Sequence, residues 1–309
     1  MTSALLIANP AASQFTGGLH RMAMRTLGKG FDVRAIWPQS AEHSRLAARD
    51  AARAGTGLVI AMGGDGIVHH VAQGLAGTEA VLGIIPSGTT NVLARIHGIP
   101  HRAKEATRLL VEGHDTVMSP TVEVNATGPE GPWAARAVFA FGVGVDASVV
   151  AAAESEPFRK YRFGGVHYAT TTLGVVWKDI RKRKPGVWVT TSDRRPGIGA
   201  LVQFHPLYTY FGRLPLRVDR DAPDPMSVLT IERLPIRRAG SILRHAIAGT
   251  LGEVKGMELD RHVASLSVDA DPPVGVQMDG EHYGLVTSLV ATARPNSLAI
   301  AIPQSESPR

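Results

Sequence analysis

Cysteine is absent from the 309 residues. This excludes a disulfide framework, thiolate metal ligation and thiol nucleophiles, and makes a reducing or redox-indifferent compartment the simplest setting. No uninterrupted apolar run reaches the length of a membrane span; even Ala137 to Ala153 is broken by Asp146 and several glycines. The opening MTSALLIANP lacks a basic leader and has too short an apolar run for a signal peptide, so it is expected to form a buried first strand. No internal repeat is visible, and the histidines show no metal-ligand spacing: His69 and His70 are adjacent and point to different faces of a helix. What remains is a chain long enough for two domains, 44% apolar, of globular type and expected in the cytoplasm.

Acid is also scarce in one place. Between Phe158 and Lys184 there are eight basic residues (Arg159, Lys160, Arg162, Lys178, Arg181, Lys182, Arg183, Lys184) against the single acid Asp179, enough to account for the whole net charge of +6. Basic ends around an apolar and aromatic middle with Tyr161, Tyr168 and Trp177 suit an anionic lipid surface. A solvated helix end with a lysine-rich loop is the plainer alternative. Nucleic acid is not expected, because none of the usual recognition motifs accompanies the charge.

Residues 58–97 organise the chain. Leu58 to Met62 is an apolar run that meets Gly63-Gly64-Asp65-Gly66 and passes into an amphipathic segment with Val68, Val71, Ala72 and Leu75 on one face. This reads strand, tight turn, helix. The unit repeats: Val81 to Ile85, then Pro86 and Ser87-Gly88-Thr89-Thr90-Asn91, then a short helix from Val92 to His97. Two such turns side by side place helix N-termini and backbone N–H groups at one sheet edge, which makes a phosphate cradle. It is not a Walker A loop, since no Gly-Lys-Ser/Thr follows. Nor is it a dinucleotide fingerprint, because Asp65 sits inside the turn, where a pyrophosphate would be repelled. An acid there implies Mg²⁺ or a reacting hydroxyl.

Alternating strands and helices over the first third predict an open, mostly parallel, doubly wound α/β sheet: strands at Ala4 to Ala8 and Val33 to Trp37, helices at Leu19 to Leu27 and after Ser40. Asn9, Ser40, Gly63 to Gly66 and Gly88 to Asn91 would gather at its carboxyl edge; taken singly, Asn9 is a turn residue and Ser40 a helix N-cap. Beyond about Gly113 short β-rich runs separated by Pro, Gly and Asp predict a predominantly antiparallel β domain with helical insertions at 147–155, 166–180 and 236–251. The expected domains are 1–115 and 116–294, with the final strand and tail, 295–309, returning to the first.

Two acidic constellations lie in the second domain. Asp279-Gly280-Glu281 follows a strand, where Asp-Gly is a common hairpin turn and the paired carboxylates could also serve a reaction. Asp219, Asp221 and Asp224 cluster in a turn-forming stretch that could hold Mg²⁺ or could be a solvated loop.

GGDGIVHHVAQGL followed by GIIPSGTTNVLAR resembles the catalytic-domain signature of the diacylglycerol and sphingosine lipid kinases, whose superfamily includes NAD kinases; Asn9-Pro10, YTYFGRLPL and Asp279-Gly280-Glu281 extend the likeness over nearly the whole chain. The resemblance implies an ATP- and Mg²⁺-dependent lipid kinase that phosphorylates a lipid hydroxyl, diacylglycerol before others, at the inner face of the membrane. It implies nucleotide contacts at Asn9, Ser40, Gly63, Gly64, Asp65, Gly66, Gly88, Thr89, Thr90 and Asn91. It makes Asp279 the base supported by Glu281, with Asp65 organising metal and phosphate or itself the base. It also maps a structural Mg²⁺ to Asp221, Asp224 and the backbone of Met226. Departures stand at Ile67 (usually threonine), His69-His70 (usually Asn-Glu), Val92 (often aspartate) and Pro225 (usually glycine). A sphingosine-type kinase, an NAD kinase and a non-catalytic nucleotide or lipid sensor are the alternatives, and homodimerisation is left open.

Overall fold

The structure, a computed structural model, describes residues 2–144, 186–234 and 239–304. The helices expected over 147–155 and 166–180 and the basic segment 158–184 lie outside the described residues. Two compact units emerge, Met1–Thr121 with Arg294–Arg309, and Val122–Ala293.

The first unit runs β1 (Thr2–Ala8), α1 (Gly17–Leu27), β2 (Phe31–Ile36), α2 (Ala41–Arg53), β3 (Leu58–Gly63), α3 (Asp65–Leu75), β4 (Val81–Pro86), α4 (Val92–Ile96) and α5 (Ala103–Glu112). Its strands are parallel in the order β2-β1-β3-β4. From β1 the chain first moves one way to β2, then back across to β3 and β4. Right-handed crossovers therefore put α1 on one face and α2 and α3 on the other, and indeed α1 packs with α5 and α2 with α3. The central strands are apolar throughout, as burial on both faces requires: every residue of β3 is buried, and Leu6, Ile60 and Met62 are fully enclosed. Each such side chain contributes about 1.5–3 kcal/mol. The edge strand β2 alternates instead and starts and stops earlier than its sequence suggests, leaving Trp37 outside it and 57% exposed. The reversal of strand order occurs between β1 and β3, so the turns after these two strands flank the crevice where doubly wound sheets bind ligands.

The chain leaves this unit within β5 (Asp115–Gly128), which forms a hairpin with β6 (Gly131–Ala137). There follow β7 (Phe141–Gly144), β8 (Val187–Thr190), β9 (Arg194–Gly197), β10 (Gly199–Gln203), β11 (Thr209–Phe211), β12 (Leu214–Leu216), β13 (Ser227–Ile231), α6 (Ala239–Ala248), β14 (Met257–Asp260), β15 (Ser265–Met278) and β16 (Glu281–Ile302). The pairings inside this second unit are antiparallel. The core is one apolar cluster that includes Val122, Phe141, Val202, Val228, Val268, Val276 and Met278. The short β-rich runs 264–270 and 274–278 are joined in one strand, β15, with its register shifted between Asp269 and Val274. Pro272 and Pro273 supply no N–H there, so the ladder lapses without ending. Likewise β16 runs through Pro295 and returns to the first unit, where Ile300 pairs in parallel with Leu82.

Candidate active site

In the first unit the two glycine turns are in direct backbone contact. A Cβ added to Gly88 would lie 2.4 Å from the Gly64 Cα, and one added to Gly63 would lie 2.4 Å from Ile67 Cγ2 and 3.4 Å from Asn9 Cβ. Glycine is required here by close approach, since neither Gly63 nor Gly64 adopts a left-handed backbone. Ser87 N–H donates to Gly63 O (2.8 Å) and Ser87 O accepts from Gln14 N–H (2.9 Å), so the turn after β1 joins the same cluster. Asn9 N–H donates to Met62 O and its side chain accepts from Ala11 N–H, closing the β1 turn.

Gly64 is the N-cap of α3 and offers no side chain, so the first N–H groups of that eleven-residue helix are left to other acceptors. Asp65 and Gly66 open the helix and are half-buried. The Asp65 carboxylate reaches across to the second turn and accepts Val92 N–H at 2.5 Å, thereby capping α4. Asn91, in the left-handed region at φ 51°, folds back: its Nδ2 donates to Gly88 O and its Oδ1 accepts Gly88 N–H. Thr89 is exposed, with its hydroxyl 3.2 Å from that of Ser13, and Thr90 is half-buried. Ser40 stands apart. It caps α2 by accepting His43 N–H, and among the described residues none of its hydrogen bonds reaches the two turns.

Ser87 was not singled out in the sequence, although it lies inside the SGTTN stretch. Its Oγ is fully buried and has no hydrogen-bond partner among the described residues. A buried orphan hydroxyl costs about 1–3 kcal/mol unless something satisfies it.

In the second unit Asp279 and Gly280 form the two-residue turn between β15 and β16, with φ 56° and 85° and Met278 paired to Glu281. The carboxylate of Asp279, 3% exposed, accepts three backbone N–H groups: Val138 on Oδ2 (2.7 Å), and Phe139 (2.7 Å) and Ala140 (2.8 Å) on Oδ1. Its own N–H donates to Ala140 O at 2.9 Å. Residues 138–140 lie between β6 and β7 and have no ladder, so the carboxylate supplies the acceptors a buried backbone must have. Around it, His205 Nε2 lies 3.0 Å from Val138 O and so carries the proton, Tyr208 donates to Phe141 O, and Gln277 bridges Gly280 N–H and the Tyr208 hydroxyl. Glu281, half-buried, begins β16.

The acidic loop is tied to residues 261–263, just before β15. Asp219, 1% exposed, takes the Arg261 guanidinium on both oxygens at 2.6 and 2.9 Å, and accepts Ser227 Oγ and Asp221 N–H. Burial pushes its carboxyl up, but the Arg261 hydrogen bonds, then the Asp221 N–H and the Ser227 hydroxyl, outweigh it and hold the group below the usual carboxylate range. Asp221 is exposed, with Oδ2 3.8 Å from the same guanidinium. Asp224 O faces His262 Nδ1 at 3.0 Å, and Met226 O accepts Val263 N–H at 3.0 Å. Three consecutive residues, 261–263, thus each meet this loop, at the Asp219 carboxylate, the Asp224 carbonyl and the Met226 carbonyl. Among the described residues no group of three or more His, Asp or Glu side chains could hold a metal.

Known proteins are similar to this chain on two levels. A solved structure of a diacylglycerol kinase from Bacillus anthracis superposes over 97% of this chain and 96% of its own with a TM-score of 0.71 at 19% identity, which carries the two-domain fold. In sequence, the diacylglycerol kinase of Mycobacterium tuberculosis is 40% identical over 95 residues, 30% of this chain and 31% of the relative. That of Bacillus subtilis is 36% identical over 104 residues, 32% of this chain and 34% of the relative. A YegS-like lipid kinase of Pseudomonas putida is 40% identical over 89 residues, 28% of this chain and 30% of the relative. The chain therefore matches about a third of the length of these curated relatives. The family model for the diacylglycerol kinase catalytic domain matches residues 3–121, the span that contains both glycine turns.

Proposed function

We propose that the chain is an ATP- and Mg²⁺-dependent lipid kinase that phosphorylates a membrane-lipid hydroxyl, diacylglycerol first, yielding phosphatidic acid. The observation that carries this is the apposition of Gly64 and Gly88, two backbone turns with no room for a side chain between them, inside the segment matched by the kinase family. Such a surface suits phosphate oxygens: the N-terminus of α3 offers N–H groups and a positive dipole end, and the orphaned Ser87 hydroxyl offers a further donor. Asn9, Thr89 and Thr90 border the turns and would contact the nucleotide; Ser40, which caps α2, is the weakest of the assigned contacts. Asp65 is the single carboxylate within 63–66 and 87–91 and would hold Mg²⁺ arriving with the nucleotide, which supplies charge neutralisation on the phosphates.

The acceptor oxygen attacks the γ-phosphorus in line as the bond to the bridging oxygen of ADP breaks, and the hydroxyl proton passes to Asp279. Three backbone donors fix the plane of that carboxylate, and orientation matters more than basicity in a loose phosphoryl-transfer transition state. Glu281 supports it. Contact with the membrane would be peripheral, through the basic segment 158–184 on the strength of its composition; no helix among the described residues is long and apolar enough to cross a bilayer.

The test is transfer of labelled γ-phosphate from ATP, with Mg²⁺, to diacylglycerol, monoacylglycerol, sphingosine and NAD in parallel. Labelled phosphatidic acid is expected. Label in sphingosine or NAD alone moves the chain to the corresponding kinase class, and ATP binding without any labelled product identifies a sensor.

A further inference from the structure

We propose that the tip of the β11–β12 hairpin, Phe211, Arg213 and Leu214, docks on an anionic lipid surface. The inference rests on the lipid-kinase reading and gives it a contact point separate from 158–184. The hairpin forms its own two-stranded ladder, from Thr209 opposite Leu216 to Phe211 opposite Leu214. Its last pair is apolar on both strands, and both members stay in solvent, Phe211 44% and Leu214 45% exposed. Scattered exposed apolar residues are ordinary. Here the two sit opposite each other at a hairpin end, with exposed Arg213 between them in the turn.

The two chain segments that build and adjoin the tip carry charge of one sign. Segments 198–218 and 239–251 contain no Asp or Glu. Arg217 is used inside the fold: its N–H donates to Ala246 O (2.7 Å), and its guanidinium to Pro206 O (3.2 Å) and Ile247 O (3.4 Å), tying the hairpin base to α6. Arg213 has no ion-pair partner among the described residues. On α6, which packs against β12, Leu243 is 41% exposed and is followed by exposed Arg244. Both elements therefore pair an exposed apolar side chain with an adjacent cation and no acid. That combination matches an interfacial lipid layer, where apolar tips enter below the headgroups and cations meet the phosphates. A second copy fits poorly, because a two-fold contact through this tip would set Arg213 against Arg213.

The experiment is cosedimentation of the full chain with phosphatidylcholine vesicles, with and without phosphatidylglycerol, for wild type, Phe211→Ser/Leu214→Ser and Arg213→Ala. The readouts run alongside phosphorylation of a short-chain diacylglycerol dispersed without vesicles. We expect the double variant to bind anionic vesicles at least about tenfold more weakly. Arg213→Ala should lose about fivefold on anionic vesicles and nothing on neutral ones, and both variants should turn over the short-chain acceptor like wild type. Unchanged vesicle binding by the double variant overturns the proposal, as does a wild type that ignores vesicles while phosphorylating the short-chain acceptor. So does a wild type that elutes as a dimer the double variant cannot form. Vesicle binding that depends on the tip, without phosphorylation of any lipid, upholds the surface and removes the kinase reading instead.

Discussion

The Cα of Gly64 occupies the space in which a side chain on Gly88 would begin, 2.4 Å from the Cβ position. The two turns of the first unit are thus held at backbone contact, and any substituent at position 88 must push them apart. Gly88→Ala should destabilise the protein by about 1–3 kcal/mol, the usual cost of overpacking, and weaken nucleotide binding at least about tenfold. Gly240→Ala, where a Cβ meets nothing within 4 Å, is the control and should leave both unchanged or gain up to about 1 kcal/mol in α6. Denaturant titration and binding of a fluorescent ATP analogue check the pair.

Asp65 joins the turns by a second route, through its carboxylate on Val92 N–H. Asparagine keeps an oxygen for that bond and loses only the charge. Asp65→Asn should therefore keep stability within about 1 kcal/mol while turnover falls at least about a hundredfold. Asp65→Ala should lose turnover equally and also about 1–2 kcal/mol, the value of a helix cap. Equal stability of the two variants would deny the cap, and full turnover by Asp65→Asn would deny the metal-phosphate role.

The glycine turns were readable because close backbone approach leaves a mark in the sequence: a Cβ at position 88 has no room against Gly64, and one at position 64 is tight against Gly88. The apolar central strands were readable for the same reason, since two-sided burial forbids polar residues. The partners of the acids were not. Asp279 satisfies backbone N–H groups about 140 residues away in sequence, and every residue carries an N–H, so nothing in 138–140 announces the contact. Arg261, 42 residues from Asp219, had no local pattern to link it to the acidic loop, whose composition leaves a cation site and a solvated loop both open. Helix α5 was passed over because its buried stripe, Ala103, Ala106, Thr107 and Leu110, has the right spacing but little hydrophobic weight.

Asp279→Asn tests position and chemistry together. The amide can still accept on one oxygen, but its NH₂ would face a backbone donor that now meets Oδ1 or Oδ2. A loss of about 1–3 kcal/mol is expected from the unsatisfied N–H, together with loss of turnover by several orders of magnitude at temperatures where the variant stays folded. Gln277→Ala, which removes the bridge between Gly280 and Tyr208, should reproduce most of the destabilisation with a smaller loss of turnover. If Asp279→Asn remains active while folded, the base is elsewhere and Asp65 is next in line.

The Asp219–Arg261 pair gives a pH dependence with a definite sign. Asp219 is held below its ordinary carboxylate range in the folded protein, so the unfolded chain takes up its proton first as pH falls. The pair's contribution is therefore complete above about pH 5, well above the unfolded value of about 3.9, and is lost as pH drops through the folded value. Arg261→Gln removes the strongest group opposing burial, leaving a carboxylate that burial pushes up. At neutral pH the variant should be less stable by about 1–3 kcal/mol, below the range for a fully enclosed pair because Arg261 is 46% exposed. The gap should close on acidification toward pH 3, where Asp219 is protonated in the variant and increasingly so in the wild type. Because Arg261 already neutralises the buried Asp219, chelating divalent ions should leave the melting temperature of the nucleotide-free wild type unchanged across this range. A chelator-induced drop that disappears in Asp221→Asn would show that the loop binds a cation after all, and a wild-type–variant gap independent of pH would show that Asp219 does not carry the effect.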